Sequence, residues 1–155
     1  ISLLPNDIDN EKTKVTTVPV SNASDAVKID FFQSDVNKMP IYYTNVSSST
    51  MSFIAENAQD NLKVVAANFV YQEISKESAT YPIKTAEEAF TKLKEGKAYL
   101  ASYSKNTQNI LIKDVFLAYY IGEKRQDYLM PIIVFQGDND FYAYVPTISD
   151  EWSSN

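Results

Sequence analysis

The sequence predicts an α+β fold in which one central helix, at about residues 85–95, is followed by a meander of antiparallel strands. A helical pattern with clear ends stands alone in the middle of the chain. Segments rich in β-branched and aromatic residues, which are typical of strands, lie on both sides of it. No regular alternation of helices and strands is present, and a parallel sheet would need one. The sheets are therefore expected to be antiparallel.

The central helix has a predicted start, an apolar face and an end. Thr85 and Glu88 have the spacing of a capping box, in which each side chain accepts a hydrogen bond from the other residue's backbone amide. Gly96 stands where a left-handed C-terminal cap is expected. The apolar face, with a period of about 3.6 residues, consists of Ala86, Ala89, Phe90 and Leu93.

The strands after the helix are a short one and three long ones, predicted at residues 98–103, 110–121, 128–136 and 141–145. Both alternating sets of residues 110–121 are apolar, so part of that strand is expected to be covered on both faces. Pro131 favours an edge position or a bulge for residues 128–136, because proline cannot donate to a ladder. Gly137-Asp-Asn-Asp140 is typical of a hairpin turn.

The strands before the helix are predicted at residues 15–20, 26–32, 40–44, 51–56 and 62–74. Pro19 restricts the first of them to an edge or a connector. Residues 33–39 look like a turn that brings 40–44 back beside 26–32, and 51–56 with 62–74 form a second expected pair. Residues 62–74 are also compatible with a helix, although their β-branched and aromatic content favours a strand.

The predicted organisation has four parts. They are an N-terminal arm or edge segment at residues 1–25, a β-rich subdomain at 26–80, the helix with its antiparallel sheet at 81–148, and a polar tail at 149–155.

Composition narrows the possible functions of the 155-residue chain. The net charge of −6 argues against nucleic-acid binding and against electrostatic adhesion to anionic lipid. The absence of cysteine and histidine removes the thiolate nucleophile, zinc-thiolate sites and the commonest general base. We therefore expect a protein that is not an enzyme and that holds no cofactor and no metal.

The chain also suggests a fragment of a longer protein. It starts at Ile1 without methionine, and it contains no apolar run of about 18 residues that could span a bilayer. Direct membrane insertion by these residues is not expected, and any signal or anchor would lie upstream.

Acidic residues offer candidate chemistry, and each has a simpler structural interpretation. Glu87 and Glu88 are adjacent on the helix, point about 100° apart, and fit a helix cap better than a paired-acid site. The 138–140 run lacks the spacing of a calcium loop, so a hairpin turn is favoured. Asp114 could be a perturbed acid, but a solvated or paired carboxylate is the commoner outcome.

Tyrosines on the last three long strands are the most notable set. The predicted partner-binding residues are Tyr120, Tyr128, Tyr142 and Tyr144. Tyr142 and Tyr144 share one face of their strand, opposite the face of residues 141, 143 and 145. The hydroxyls could simply face water, or the face could receive a protein partner. A third interpretation is a glycan or small-molecule site in which the rings act as stacking platforms.

The run Tyr81-Pro-Ile-Lys-Thr-Ala-Glu-Glu-Ala-Phe90 resembles the start of the helix in PepSY-like domains, and the strands at 115–120, 129–135 and 141–145 follow in that family's order. It is similar in particular to the YycH/YycI-type extracytoplasmic regulators of bacteria. The resemblance covers residues 81–148 and implies an exported, membrane-tethered, non-enzymatic module. Such a module would act on a protein partner, for example a membrane sensor kinase or a peptidase. The resemblance supplies no functional residues.

Overall fold

The computed structural model describes residues 7–21, 24–58, 61–104 and 109–148, which form two sheets and one helix of an α+β fold. The strands are β1 (Ile8–Ser21), β2 (Ser24–Gln33), β3 (Ile41–Tyr43), β4 (Met51–Ala58), β5 (Asn61–Phe69), β6 (Tyr99–Ser102), β7 (Ile112–Ile121), β8 (Met130–Gly137) and β9 (Tyr142–Pro146); the helix α1 is Ala86–Lys94. The chain forms two compact units. Unit 1 comprises Ile1–Asp35 and Ser48–Gln72, and unit 2 comprises Val36–Ser47 and Glu73–Asn155.

Unit 1 contains an antiparallel four-stranded sheet with the order β1-β2-β4-β5. The predicted pair of strands at 51–56 and 62–74 is confirmed as β4 and β5, although β5 ends at Phe69. Pro19 lies in β1 at the edge of the sheet, as predicted. The expected turn within 33–39 is also present, with positive φ angles of 52° at Asn37 and 65° at Lys38.

The predicted pairing of residues 40–44 with β2 is wrong. Both edges of β2 are already occupied by β1 and β4. β3 instead pairs in parallel with β7, with Ile41 opposite Tyr119 and Tyr43 opposite Ile121. The amide of Tyr119 donates to the carbonyl of Pro40 over 2.8 Å. The second sheet is therefore mixed, and the expectation of purely antiparallel sheets fails at this edge. Residues 36–47 consequently group with unit 2, whereas the predicted division placed them with residues 26–80.

Unit 2 contains this five-stranded sheet, with the order β3-β7-β8-β9-β6. The edge position or bulge expected from Pro131 is wrong, because β8 is the central strand and pairs there without a register shift. The amide and hydroxyl of Thr147 both donate to the Pro131 carbonyl, over 3.1 and 3.0 Å. The Thr147 carbonyl accepts from the amide of Lys84 over 2.7 Å. Pro131 has no N–H that could donate to the Thr147 carbonyl, and the amide of Lys84 supplies that hydrogen bond instead.

The helix forms as predicted. Thr85 is the N-cap, its hydroxyl accepts from the Glu88 amide over 3.2 Å, and the Glu88 carboxylate accepts from the Thr85 amide over 2.7 Å. The hydrogen bonds that the amide and the hydroxyl of Thr85 donate to the Glu88 carboxylate hold the pKa of Glu88 below its ordinary value. Gly96 follows the helix with a φ of 71°, where a left-handed cap was expected.

The two faces of the second sheet carry separate apolar clusters. On the helix face, Ala89 of α1 is completely buried against residues of β8 and β9. On the opposite face, Ala118, Ile132, Val134 and Tyr144 form a second buried cluster. The expectation that β7 is covered on both faces holds for its C-terminal half only. There Ala118 and Ile121 are buried, whereas Val115 and Leu117 remain exposed. The predicted tail at 149–155 lies outside the described residues.

Candidate functional site

The structure brings three of the four predicted partner-binding tyrosines together. Tyr120 on β7 and Tyr142 and Tyr144 on β9 lie on the same face of the five-stranded sheet. Tyr128 lies in the loop before β8 and is 79% exposed. Within the described residues, no ring contact joins it to the other three. Sequence alternation placed Tyr142 and Tyr144 correctly on one face, opposite Phe141, Ala143 and Val145, which pack on the helix side.

Tyr144 is the centre of a larger tyrosine cluster on this face. Its ring centroid is 5.8 Å from that of Tyr42, 5.9 Å from that of Tyr99 and 6.2 Å from that of Tyr120. Tyr142 is 6.2 Å from Tyr42. We call these five residues the tyrosine cluster. Sequence reasoning missed Tyr42 and Tyr99, because they reach the face only through the pairing of β3 with β7 and of β6 with β9.

Two of the hydroxyls in this cluster form hydrogen bonds within unit 2. The Tyr99 hydroxyl donates to the Thr44 carbonyl over 3.0 Å, and the hydroxyls of Tyr120 and Thr44 lie 3.0 Å apart. The hydroxyl of Tyr144 is buried and has no hydrogen-bond partner among the described residues. Burial raises the pKa of Tyr144 well above its ordinary value, and the neighbouring tyrosines add to the shift. The phenol is therefore neutral at pH 7, and it can donate a hydrogen bond but cannot serve as a base.

The opposite face of the sheet carries an open groove beside the helix, with a volume of about 400 Å³. It lies between the C-terminal half of α1, β6 and the start of β7. We call it the helix groove; its lining residues are Phe90, Leu93, Lys94, Gly96, Ala98, Leu100, Ile110, Ile112 and Phe141. Lys94 is the one charged residue of this lining, and its ammonium lies 5.0 Å from the centre of the Phe90 ring. The groove is thus apolar, with one cation at its wall.

Two features of the chain leave this groove open. The helix is only nine residues long and ends at Lys94, and the connection to β6 contains the small residues Gly96 and Ala98. Large side chains therefore rim the groove without filling it: Phe90 is 42%, Leu100 45% and Ile110 39% exposed. Apolar groups that stay this exposed around one concavity are typical of a binding surface.

The 137–140 hairpin turn holds the far wall of the groove in place. The Asp138 carboxylate accepts from the Leu111 amide over 3.1 Å, and the Asp138 amide donates to the Leu111 carbonyl over 3.1 Å. A Cβ at Gly137 would lie 2.8 Å from the side chain of Ile110. Only a glycine therefore permits the close approach of this segment to the turn. The hairpin interpretation of 138–140 is confirmed, and Asp138 has a structural role.

The other acidic candidates also have structural partners. The Asp114 carboxylate is exposed and accepts from the Val115 amide over 2.8 Å, while Glu88 caps α1. Among the described residues, no group of three or more acidic side chains converges in a way that could hold a metal ion.

No protein-family model matches the sequence, no curated protein matches it, and no solved structure matches it. The PepSY-like resemblance therefore stays a prediction. Within the described residues, no helix has the length and apolar character needed to cross a membrane.

Proposed function

We propose that the chain is a non-catalytic interaction module that binds a segment of a protein partner in the helix groove of unit 2. The observation that carries this proposal is the groove itself. An apolar concavity of about 400 Å³ is rimmed by large exposed side chains and bears a single cation. Hydrophobic anchors that enter such concavities dominate the binding energy of many protein interfaces.

The position of the groove beside a sheet edge favours an extended partner segment. Among the described residues β6 pairs only with β9, so its outer edge carries backbone groups that a further strand can pair with. Leu100 of β6 lines the groove, so alternate side chains of an added strand would point towards it. Within the described part of the chain Lys94 has a ring contact but no ion pair, and it therefore favours a carboxylate on the occupant. The fitting segment is extended and apolar, with an acidic residue beside its anchors.

The tyrosine cluster supports a different candidate, the glycan or small-molecule site. Its specific observation is the buried Tyr144 hydroxyl, which has no partner among the described residues. However, the rings of the cluster pack on one another in tilted and edge-on arrangements, so they offer less free ring face than a stacking platform needs. The helix groove is the better-supported site, and the tyrosines form the packed layer behind it.

The wider setting of the module is part of the same proposal. The PepSY-like resemblance implies an exported domain of the YycH/YycI type, tethered by an upstream anchor, that regulates a membrane sensor or a peptidase. A groove that accepts a protein segment is compatible with such a role, but the placement outside the membrane rests on the resemblance alone.

A peptide selection tests the proposed binding. A random peptide library is selected on the immobilised chain, and the affinity of the enriched peptides is measured by fluorescence anisotropy. We expect enrichment of peptides with large apolar residues and at least one acidic residue. Leu100→Glu should weaken their binding at least about tenfold, because it places a carboxylate among apolar anchors. Lys94→Glu should also weaken it, by charge reversal.

Two matched variants serve as controls. Tyr99→Glu changes the adjacent residue of β6, which is similarly exposed but belongs to the tyrosine cluster on the opposite face. Lys97→Glu changes a lysine outside the groove lining. Loss of binding with Tyr99→Glu but not with Leu100→Glu would transfer the site to the tyrosine cluster. A sugar panel with Tyr142→Ala as its variant would then test the glycan alternative.

A further inference from the structure

The sheet of unit 1 has one uncharged, apolar face. Three rows of paired residues run across this face, two over all four strands and one over β2, β4 and β5 only. The central row is Val15, Ile29, Phe53 and Ala67. The flanking rows contribute Phe31 and Phe69 on one side and Val64 on the other. Every residue of the three rows is uncharged, and Thr17 is the one polar member.

The opposite face of the same sheet carries the charges. Its rows include Lys14, Lys28, Asp30 and Glu56. Lys28 and Asp30 form an ion pair of 2.8 Å, and the buried Asp30 carboxylate also accepts from Ser49 over 2.7 Å. Some of the charged groups on this face therefore already have ion-pair or hydrogen-bond partners within unit 1. The alternation of one charged and one apolar face is the pattern of a sheet that buries a single side.

Much of this face is exposed. Val15 is 65%, Val64 56% and Phe69 62% exposed, and Ile29 and Phe53 are partly buried, whereas Met51 and Ala55 on β4 are buried. Among the described residues, unit 1 contains strands and no helix that could form a second layer. Because a sheet with one apolar face needs a second layer to bury it, this face requires an occupant.

We propose that the occupant is a second copy of this chain, with the two four-stranded sheets packed face to face about a two-fold axis. A two-fold contact requires a surface that is complementary to itself. An uncharged face meets this condition, because it brings no like charges together when two copies of a chain of net charge −6 associate. The packed pair would be a β-sandwich, an arrangement in which two apolar sheet faces lie about 10 Å apart.

The size of the face sets the expected strength of this contact. Four strands about 4.8 Å apart and about six residues of about 3.4 Å each give a flat footprint of about 20 Å by 20 Å on each copy. The accessible area of the protruding side chains exceeds this footprint. The buried total then reaches the low end of specific interfaces, at roughly 1,000 Å². A reversible dimer that forms with rising concentration is expected.

Sedimentation equilibrium of the chain over a range of concentrations tests the proposal, with two pairs of adjacent substitutions. Val15→Glu and Phe69→Glu place a charge on the apolar face, whereas Thr16→Glu and Asn68→Glu place the same charge on the neighbouring exposed residue of the opposite face. All four sites are exposed, and circular dichroism verifies folding. We expect the first pair to raise the dimer dissociation constant at least about tenfold and the second pair to change it less than about twofold.

Three results would overturn the proposal. They are a chain that remains monomeric at every concentration, a dimer that survives both Val15→Glu and Phe69→Glu, and a dimer that is lost with Phe69→Glu but not with Val15→Glu. The last result would indicate pairing through the free edge of β5. A second readout uses the absence of cysteine. A nitroxide on Ala67→Cys should give a short distance between copies, and one on Asn68→Cys a longer distance.

Discussion

At the scale of single residues, the tyrosine cluster contains hydroxyls that have hydrogen-bond partners and one hydroxyl that has none among the described residues. Tyr120 and Tyr99 both use their hydroxyls in contacts with Thr44. Tyr144, in the middle of the same cluster, is 2% exposed, and its hydroxyl has no partner among the described residues. A buried hydroxyl without a partner lowers stability, because it has lost its hydrogen bonds to water. This difference predicts opposite effects for the same chemical change at two neighbouring tyrosines.

Tyr144→Phe is expected to raise the free energy of unfolding at pH 7 by about 1 kcal/mol, because it removes the unsatisfied hydroxyl and keeps the ring. Tyr120→Phe is the matched control and should lower it by about 1 kcal/mol through the lost contact with Thr44. Chemical denaturation of both variants measures the two values. Equal losses of stability in both variants would contradict the expectation for Tyr144.

The raised pKa of Tyr144 adds a pH dependence to the same comparison. A group whose pKa is higher in the folded state contributes stability that is fully present below the unfolded pKa and is lost as the pH rises above it. Stability of the wild-type protein should therefore fall as the pH rises above 10.0, the ordinary value for tyrosine. The fall should be shallower for Tyr144→Phe, and a series of denaturation curves between pH 8 and about 11 measures it.

At the scale of the elements, local signals were sufficient for the helix and for most strands. The capping box, the apolar period and the terminal glycine act within a few residues of one another, so the sequence alone located α1. The hairpin between β8 and β9 is equally local. The pairing of β3 could not be predicted in this way, because its three residues find their partners on β7, far along the chain. The prediction that Pro131 marks an edge strand or a bulge failed for a related reason. The contacts of Thr147 and Lys84 that make up for its missing N–H come from distant parts of the sequence.

The helix cap gives a direct test at this scale. Thr85→Ala removes the acceptor for the Glu88 amide and should cost about 1 kcal/mol in the free energy of unfolding. Thr91→Ala is the matched control. The exposed Thr91 hydroxyl donates to the Glu87 carbonyl of the same helix. Alanine has a higher helix propensity than threonine. Urea denaturation should show a loss for the first variant and no loss for the second.

The same limit applied to the candidate site. The apolar face of α1, including Phe90 and Leu93, could be read from the helical period. Leu100 and Ile110 could not be assigned to the helix groove, because their positions depend on strand register and on the close contact at Gly137. Three of the five members of the tyrosine cluster were predicted from the sequence, namely those on β7 and β9. Tyr42 and Tyr99 lie on the short edge strands β3 and β6, whose pairing the sequence did not reveal.

At the scale of the whole molecule, the two units offer different kinds of surface. Unit 1 exposes an uncharged sheet face crossed by rows of apolar side chains. Unit 2 exposes a concave groove with a cation at its wall, beside a sheet edge. A neutral sheet face suits another copy of itself, and a groove with a cation suits a partner segment of different chemistry. The two proposed contacts therefore depend on separate sets of residues.

This separation predicts that self-association and peptide binding can be removed one at a time. Leu100→Glu should weaken binding of the selected peptides at least about tenfold and leave the dimer dissociation constant unchanged. Val15→Glu should raise the dimer dissociation constant at least about tenfold and leave peptide binding unchanged. Sedimentation equilibrium and fluorescence anisotropy on the same samples measure both quantities. The expectation rests on the general rule that effects at sites without shared contacts are independent. If Val15→Glu also weakened peptide binding, the groove would be complete only in the dimer. If Leu100→Glu also dissociated the dimer, the self-association surface would have to include residues of unit 2.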